Sequence, residues 1–66
     1  MQTLVATDIY DKSGNLQEIE YHDAQTGKFE LTVVWDPEDE QTAENRSKLR
    51  AWSRKMVRQL GFEVAE

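Results

Sequence analysis

A single histidine, His22, and no cysteine leave this 66-residue chain few routes to covalent or metal chemistry. One imidazole cannot fill a transition-metal shell, and no Ser/His/Asp arrangement or glycine-rich phosphate loop accompanies it. The run Asp36-Pro37-Glu38-Asp39-Glu40 holds four acids in five residues. Its oxygens suit a hard cation, but it lacks the glycine and the regular ligand spacing of a calcium loop. Asp before Pro is instead the grammar of a helix start. The residue types therefore predict no catalytic group, no metal and no cofactor, and a protein that is not an enzyme.

What remains is charge, and it is segregated. Residues 1–45 hold eleven acids against Lys12 and Lys28, a net charge of −9. Residues 46–58 hold Arg46, Lys48, Arg50, Arg54, Lys55 and Arg58 with no acid, a net charge of +6. On a helix, Arg50, Arg54 and Arg58 fall at i, i+4 and i+8 and form a ridge, with Lys48 and Lys55 alongside. The planar, five-donor guanidinium suits carboxylates and phosphates. The same bases also complement the helix dipole, with acids at the start and bases at the end.

Three segments with a period of two must position the acids. Thr3–Tyr10, Leu16–Asp23 and Phe29–Trp35 each alternate apolar and polar residues, as half-buried strands do. Lys12-Ser13-Gly14 and Gln25-Thr26-Gly27 fit three-residue hairpin loops ending in a left-handed glycine. Such loops pair Asp11 with Asn15 and Ala24 with Lys28. Counting outward gives core rows Val5–Tyr21–Leu31 and Thr7–Ile19–Val33. A helix begins at Asp36-Pro37, with Thr42 as the rival N-cap, and stops at Gly61. Its apolar face is Leu49, Trp52, Ser53, Met56 and Leu60. Phe62 and Val64 alternate, which suits a short final strand.

These elements predict an α+β fold: one domain over residues 1–66, a three-stranded antiparallel meander packed on one C-terminal amphipathic helix. The expected core is Val5, Ile9, Ile19, Tyr21, Phe29, Leu31, Val33 and Trp35 under Leu49, Trp52, Met56, Leu60 and Phe62. A chain this short buries only roughly 60% of its unfolded surface, so the core is marginal. With no Cys, no long apolar run and no signal-peptide pattern, the expectation is a cytoplasmic protein that does not enter membranes.

The open sheet face is then predicted to carry Leu4, His22 and Glu30 in one row. Ala6, Glu20 and Thr32 form the next, and Asp8, Glu18 and Val34 a third beside Tyr10 and Leu16. Asp8 directly opposite Glu18 would cost stability. Two partner-binding surfaces follow: the basic helix face (Arg50, Arg54, Arg58, Lys48, Lys55) and an acidic sheet face (Asp8, Glu18, Glu20, Glu30, Tyr10). The leading expectation is a small acidic protein-interaction module, a stoichiometric binder or inhibitor of a larger protein. Small acidic phage and mobile-element products often act in that way. The second expectation is nucleic-acid binding through the basic helix. The βββα order resembles that of plant ethylene-response and integrase arm-binding domains, which lay a basic sheet into the major groove. An acidic sheet would be repelled there. Homodimerisation is the third, invited by the apolar members of the open face.

Overall fold

The computed structural model describes residues 1–65. Strands β1 (Thr3–Tyr10), β2 (Leu16–Asp23) and β3 (Phe29–Val34) form the antiparallel meander, helix α1 (Ala43–Gln59) follows, and a short strand β4 (Glu63–Ala65) closes the chain. The sheet order is β3-β2-β1-β4, with β4 parallel to β1. The α+β class read from the sequence is the class observed, with the terminal strand added as a fourth.

Both hairpin glycines adopt the left-handed conformation, φ +84° at Gly14 and +76° at Gly27. The first loop closes as expected, the Asp11 N–H donating to Asn15 O at 2.8 Å. One residue later the register departs from expectation. Tyr10 pairs with Leu16, but Ile9 pairs with Glu18, so Gln17 is an extra residue in β2. This β-bulge slips β1 by one position and exchanges its two faces. Leu4, Ala6, Asp8 and Tyr10 turn to the helix, and Val5, Thr7 and Ile9 turn away. Leu4 is fully buried, whereas Val5, expected in the core, is exposed. The costly Asp8–Glu18 pair does not arise, because Asp8 lies opposite Ile19.

The second hairpin carries two departures that cancel. Its loop has four residues rather than three, because the Asp23 N–H donates to Lys28 O at 2.8 Å. Asp23 Oδ1 accepts from the backbone N–H groups of Gln25 and Thr26, both at 2.8 Å, which fixes that loop. A bulge between Tyr21 and His22 then restores the count, and Tyr21–Leu31 and Ile19–Val33 pair as predicted. Phe29 lies before that bulge and so faces away from the helix with His22, at 57% exposure, not in the core.

The helix starts at the rival cap. Thr42 is extended, and its side chain accepts from the Asn45 N–H at 3.0 Å. Asp36-Pro37 instead opens a turn in which the Asp39 N–H donates to Asp36 O and the Glu38 N–H to Asp36 Oδ1. Asp at the first and Pro at the second position suit such a turn as well as a helix start. Residues 36–41 close one end of the sheet. Asp39 O accepts from Trp35 Nε1 at 3.2 Å. The Gln41 amide both donates to Leu16 O and accepts from Leu16 N–H, serving the backbone beside the Gln17 bulge. At the other helix end, the N–H groups of Gly61 and Phe62 donate to Arg58 O and Val57 O, a Schellman closure with Gly61 at φ +100°.

The buried cluster is Leu4, Ile19, Tyr21 and Val57, with Ala6, Leu31, Val33, Leu49, Phe62 and Val64 packed around it. On the helix the buried residues are Ser53 and Val57. The buried line is rolled by roughly 60° from the predicted stripe, at about 100° per residue. Trp52, Met56 and Leu60 are consequently exposed, Trp52 to 53%. The reason is polar. The Tyr21 hydroxyl is fully buried beneath the helix and lies 2.7 Å from Ser53 Oγ. Ser53 in turn donates to Arg50 O at 3.0 Å, so Tyr21 donates to Ser53. A buried hydroxyl without a partner costs about 1–3 kcal/mol, and Trp52 in that place could not accept its proton.

Candidate interaction surfaces

The helix roll carries Arg50 to the sheet. Its Nε donates to Asp8 Oδ2 at 2.7 Å and an Nη to the Tyr10 hydroxyl at 3.0 Å, and Tyr10 donates to Asp8 Oδ2 at 3.4 Å. Asp8 and this network hold the Arg50 guanidinium above its already high ordinary pKa. The predicted ridge is thus partly turned inward. Arg50 is half-buried, and Arg54, also half-buried, donates to Arg50 O at 3.2 Å. Arg58 occupies the last helical turn. Lys48 pairs with Glu44 one turn earlier at 3.3 Å, both largely exposed. Lys55 is exposed. Asp8 and Tyr10, read as members of an acidic open face, belong to the helix side.

The open sheet face consists of three rows running across β1, β2 and β3: Val5–His22–Phe29, Thr7–Glu20–Thr32 and Ile9–Glu18–Val34. Glu18 and Glu20 are the predicted acids that do lie there, one above the other on β2. Glu18 accepts from Thr32 Oγ1 at 3.3 Å, and Glu20 lies 3.0 Å from His22 Nε2. That hydrogen bond to His22 holds the Glu20 carboxyl below its ordinary value of 4.5. His22 also meets Phe29 edge-on, with ring centroids 5.7 Å apart. Glu30, predicted for this face beside His22, sits at the β3 bulge, where its carboxylate accepts from Gln2 Nε2 at 3.1 Å. Gln2 also donates to Asp23 Oδ2 at 2.8 Å.

An acidic spine therefore runs up β2, flanked at both ends by apolar side chains. Phe29 and Val34 are 57% and 65% exposed, and Val5 is exposed beside them. Among the described residues no Lys or Arg lies in these three rows. The sequence pattern missed Val5, Ile9 and Phe29 because two bulges put them here. The one legible signal was Leu4 and Tyr10, which gave β1 a second apolar face.

A second exposed apolar region lies on the helix side. Trp52 and Met56 form the helix shoulder opposite the arginines, and Trp52 lines a cleft with Leu49 and the β3 end at Val34 and Trp35. On the helix side of the sheet Leu31 and Val33 of β3 are only half-buried. Among the described residues β3 has no strand on its outer side.

Among the described residues no group of three or more His, Cys, Asp or Glu is disposed to hold a metal ion, and no helix is long and apolar enough to cross a membrane. Comparison with protein-family models, curated proteins and solved structures finds no match.

Proposed function

We propose that this chain is a small non-enzymatic protein-interaction module, a stoichiometric binder of a larger protein, and that the open sheet face is its contact surface. The observation that carries the reading is the composition of that face: Glu18 and Glu20 at its centre, exposed Phe29, Val34 and Val5 around them, and among the described residues no Lys or Arg in the rows. An exposed apolar patch bordering charge is how a protein-binding surface is built. The partner suited to it presents a basic group to the Glu18–Glu20 spine and apolar side chains to the flanks. The nucleic-acid reading gains nothing comparable, since Arg50 is engaged by Asp8 and Tyr10.

Affinity capture from the source cells, using the full chain and an E18K/E20K variant, tests this. The expected result is one protein retained in one-to-one proportion by the wild type, lost with E18K/E20K and kept with K48E/K55E. Equal retention by E18K/E20K refutes the assignment of the face. A mobility shift of duplex or single-stranded probes at micromolar protein and about 50 mM salt would move the reading to nucleic acid, because even non-specific binders are detected under those conditions.

A further inference from the structure

We infer that the outer edge of β3 pairs with the same edge of a second copy of this chain, forming a two-fold antiparallel dimer with one continuous eight-stranded sheet. The inference rests on the β3 edge and is independent of the open-face reading.

Edge strands are normally guarded by Lys, Pro, bulges or shortness. The other edge, β4, has three residues. β3 has six, Phe29-Glu30-Leu31-Thr32-Val33-Val34, with Glu30 its sole charge and no Pro; its bulge lies at Glu30, and Leu31 to Val34 form a regular stretch without such a guard. A segment of high β-propensity and low charge without Pro is the kind that seeks another strand.

The direction of the free backbone groups follows from the observed pairing. The Trp35 N–H donates to Gln17 O at 2.8 Å, and Val33 and Leu31 lie opposite Ile19 and Tyr21. Backbone polar groups alternate sides along an antiparallel strand. Leu31, Val33 and Trp35 therefore direct theirs to β2, and Thr32 and Val34 direct theirs outward.

The strand is complementary to itself. With the two-fold axis at Thr32, the Thr32 backbones of the two copies exchange hydrogen bonds, and Val34 reaches the bulge at Glu30 of the second copy, where the regular pairing ends. Leu31 then meets Val33 on the helix side. The two Glu30 carboxylates lie on opposite sides of the axis, so the only charge in the strand meets no like charge. Antiparallel pairing also places Lys28, just before one β3, at the same end of the junction as Asp36, just after the other. A strand of unrelated sequence would satisfy the backbone but not this pattern of charges. Because an axis perpendicular to the sheet keeps both helices on one side, Trp52 of each copy, which lines a cleft with Val34 and Trp35, lies on the same side as the Leu31–Val33 contact. That arrangement draws the half-buried Leu31 and Val33 further from water and leaves the open face exposed, and an isologous two-fold contact is the commonest symmetric interface.

Sedimentation equilibrium of the purified full chain, with T32K and T32C variants, tests the pairing. Thr32 is exposed, so substitution there spares the core. The wild type should sediment at twice the 7.7 kDa chain mass. T32K, which sets two ammonium groups against each other on the axis, should weaken association at least tenfold with unchanged far-UV circular dichroism. The chain has no cysteine, and hydrogen-bonded cross-strand Cα atoms lie about 5.5 Å apart, within disulfide reach. Mild oxidation should therefore convert T32C to a covalent dimer far faster than T7C, whose cysteine lies on β1. A wild-type monomer at 0.5 mM, a T32K dimer of unchanged strength, or equal cross-linking of T32C and T7C would each overturn self-pairing. A monomer would leave another protein's strand as the occupant. None of these results depends on the Glu18–Glu20 capture experiment.

Discussion

At the scale of single residues the most informative contact is the pair Tyr21–Ser53. Both are fully buried, and their hydroxyls lie 2.7 Å apart. Ser53 sits in the middle of an apolar helical stripe, where a polar residue needs a partner. The pair decides which helix face meets the sheet. Removing either hydroxyl alone leaves a buried polar group unsatisfied or a proton without its acceptor. We expect Ser53→Ala to destabilise by about 1–3 kcal/mol, and Tyr21→Phe by somewhat less, since Ser53 keeps its bond to Arg50 O. The double variant should cost less than the sum, with a coupling of about 0.5–3 kcal/mol. Urea unfolding of the four proteins checks this, and strict additivity would mean that the hydroxyl pair does not hold the helix in its roll.

At the scale of elements, the grammar of turns and caps was legible and the bulges were not. Glycine at the left-handed positions 14 and 27, the alternation in β2 and β3 and the Gly61 stop all announced themselves by residue type. Gln17 did not, because an inserted residue of ordinary backbone geometry carries no Gly or Pro to mark it. One such residue exchanges the faces of β1 and with them two of the five residues expected on the acidic face. Glu18 and Glu20 lie on the open face as the alternation with Ile19 and Tyr21 predicts, whereas Leu16, expected there before the bulge, is buried and Asp8 and Tyr10 meet Arg50. Residues 36–41 were ambiguous for a different reason, since Asp-Pro opens a turn and a helix equally well. The two readings of the helix start are separable by mutation. Thr42→Ala should lower stability by about 1 kcal/mol and reduce helicity, while Asp36→Ala should leave the helical circular dichroism of the native state unchanged. A loss of helicity with Asp36→Ala alone would place the cap where the sequence grammar first put it.

At the scale of the whole molecule, two electrostatic effects of opposite sign compete as pH falls. The chain carries a net charge of −5 at neutral pH and an isoelectric point near 4.7. Protonating acids relieves the repulsion of that excess, which favours the compact state. Specific interactions act the other way. The backbone N–H of Thr26, then the Gln2 amide and the Gln25 N–H, hold the Asp23 carboxyl below its ordinary value of 3.8. His22 does the same for Glu20, below 4.5. A carboxylate whose folded pKa is depressed contributes stability above its unfolded pKa, and that contribution is lost as pH falls through the folded value. The thermal midpoint should therefore hold steady or rise slightly from pH 7 to about pH 5 as repulsion relaxes, then fall below it as Glu20 and Asp23 protonate. Asp23→Asn removes the second contribution, because its amide oxygen still accepts from Gln25 and Thr26 while its NH2 group cannot accept from Gln2 and does not titrate. Differential scanning calorimetry at steps from pH 7 to pH 3 should show a shallower acid decline in Asp23→Asn than in the wild type, the two curves separating below about pH 4. Parallel curves throughout would mean that the Asp23 loop contributes nothing to the acid limb and that the decline belongs to Glu20 and the remaining acids.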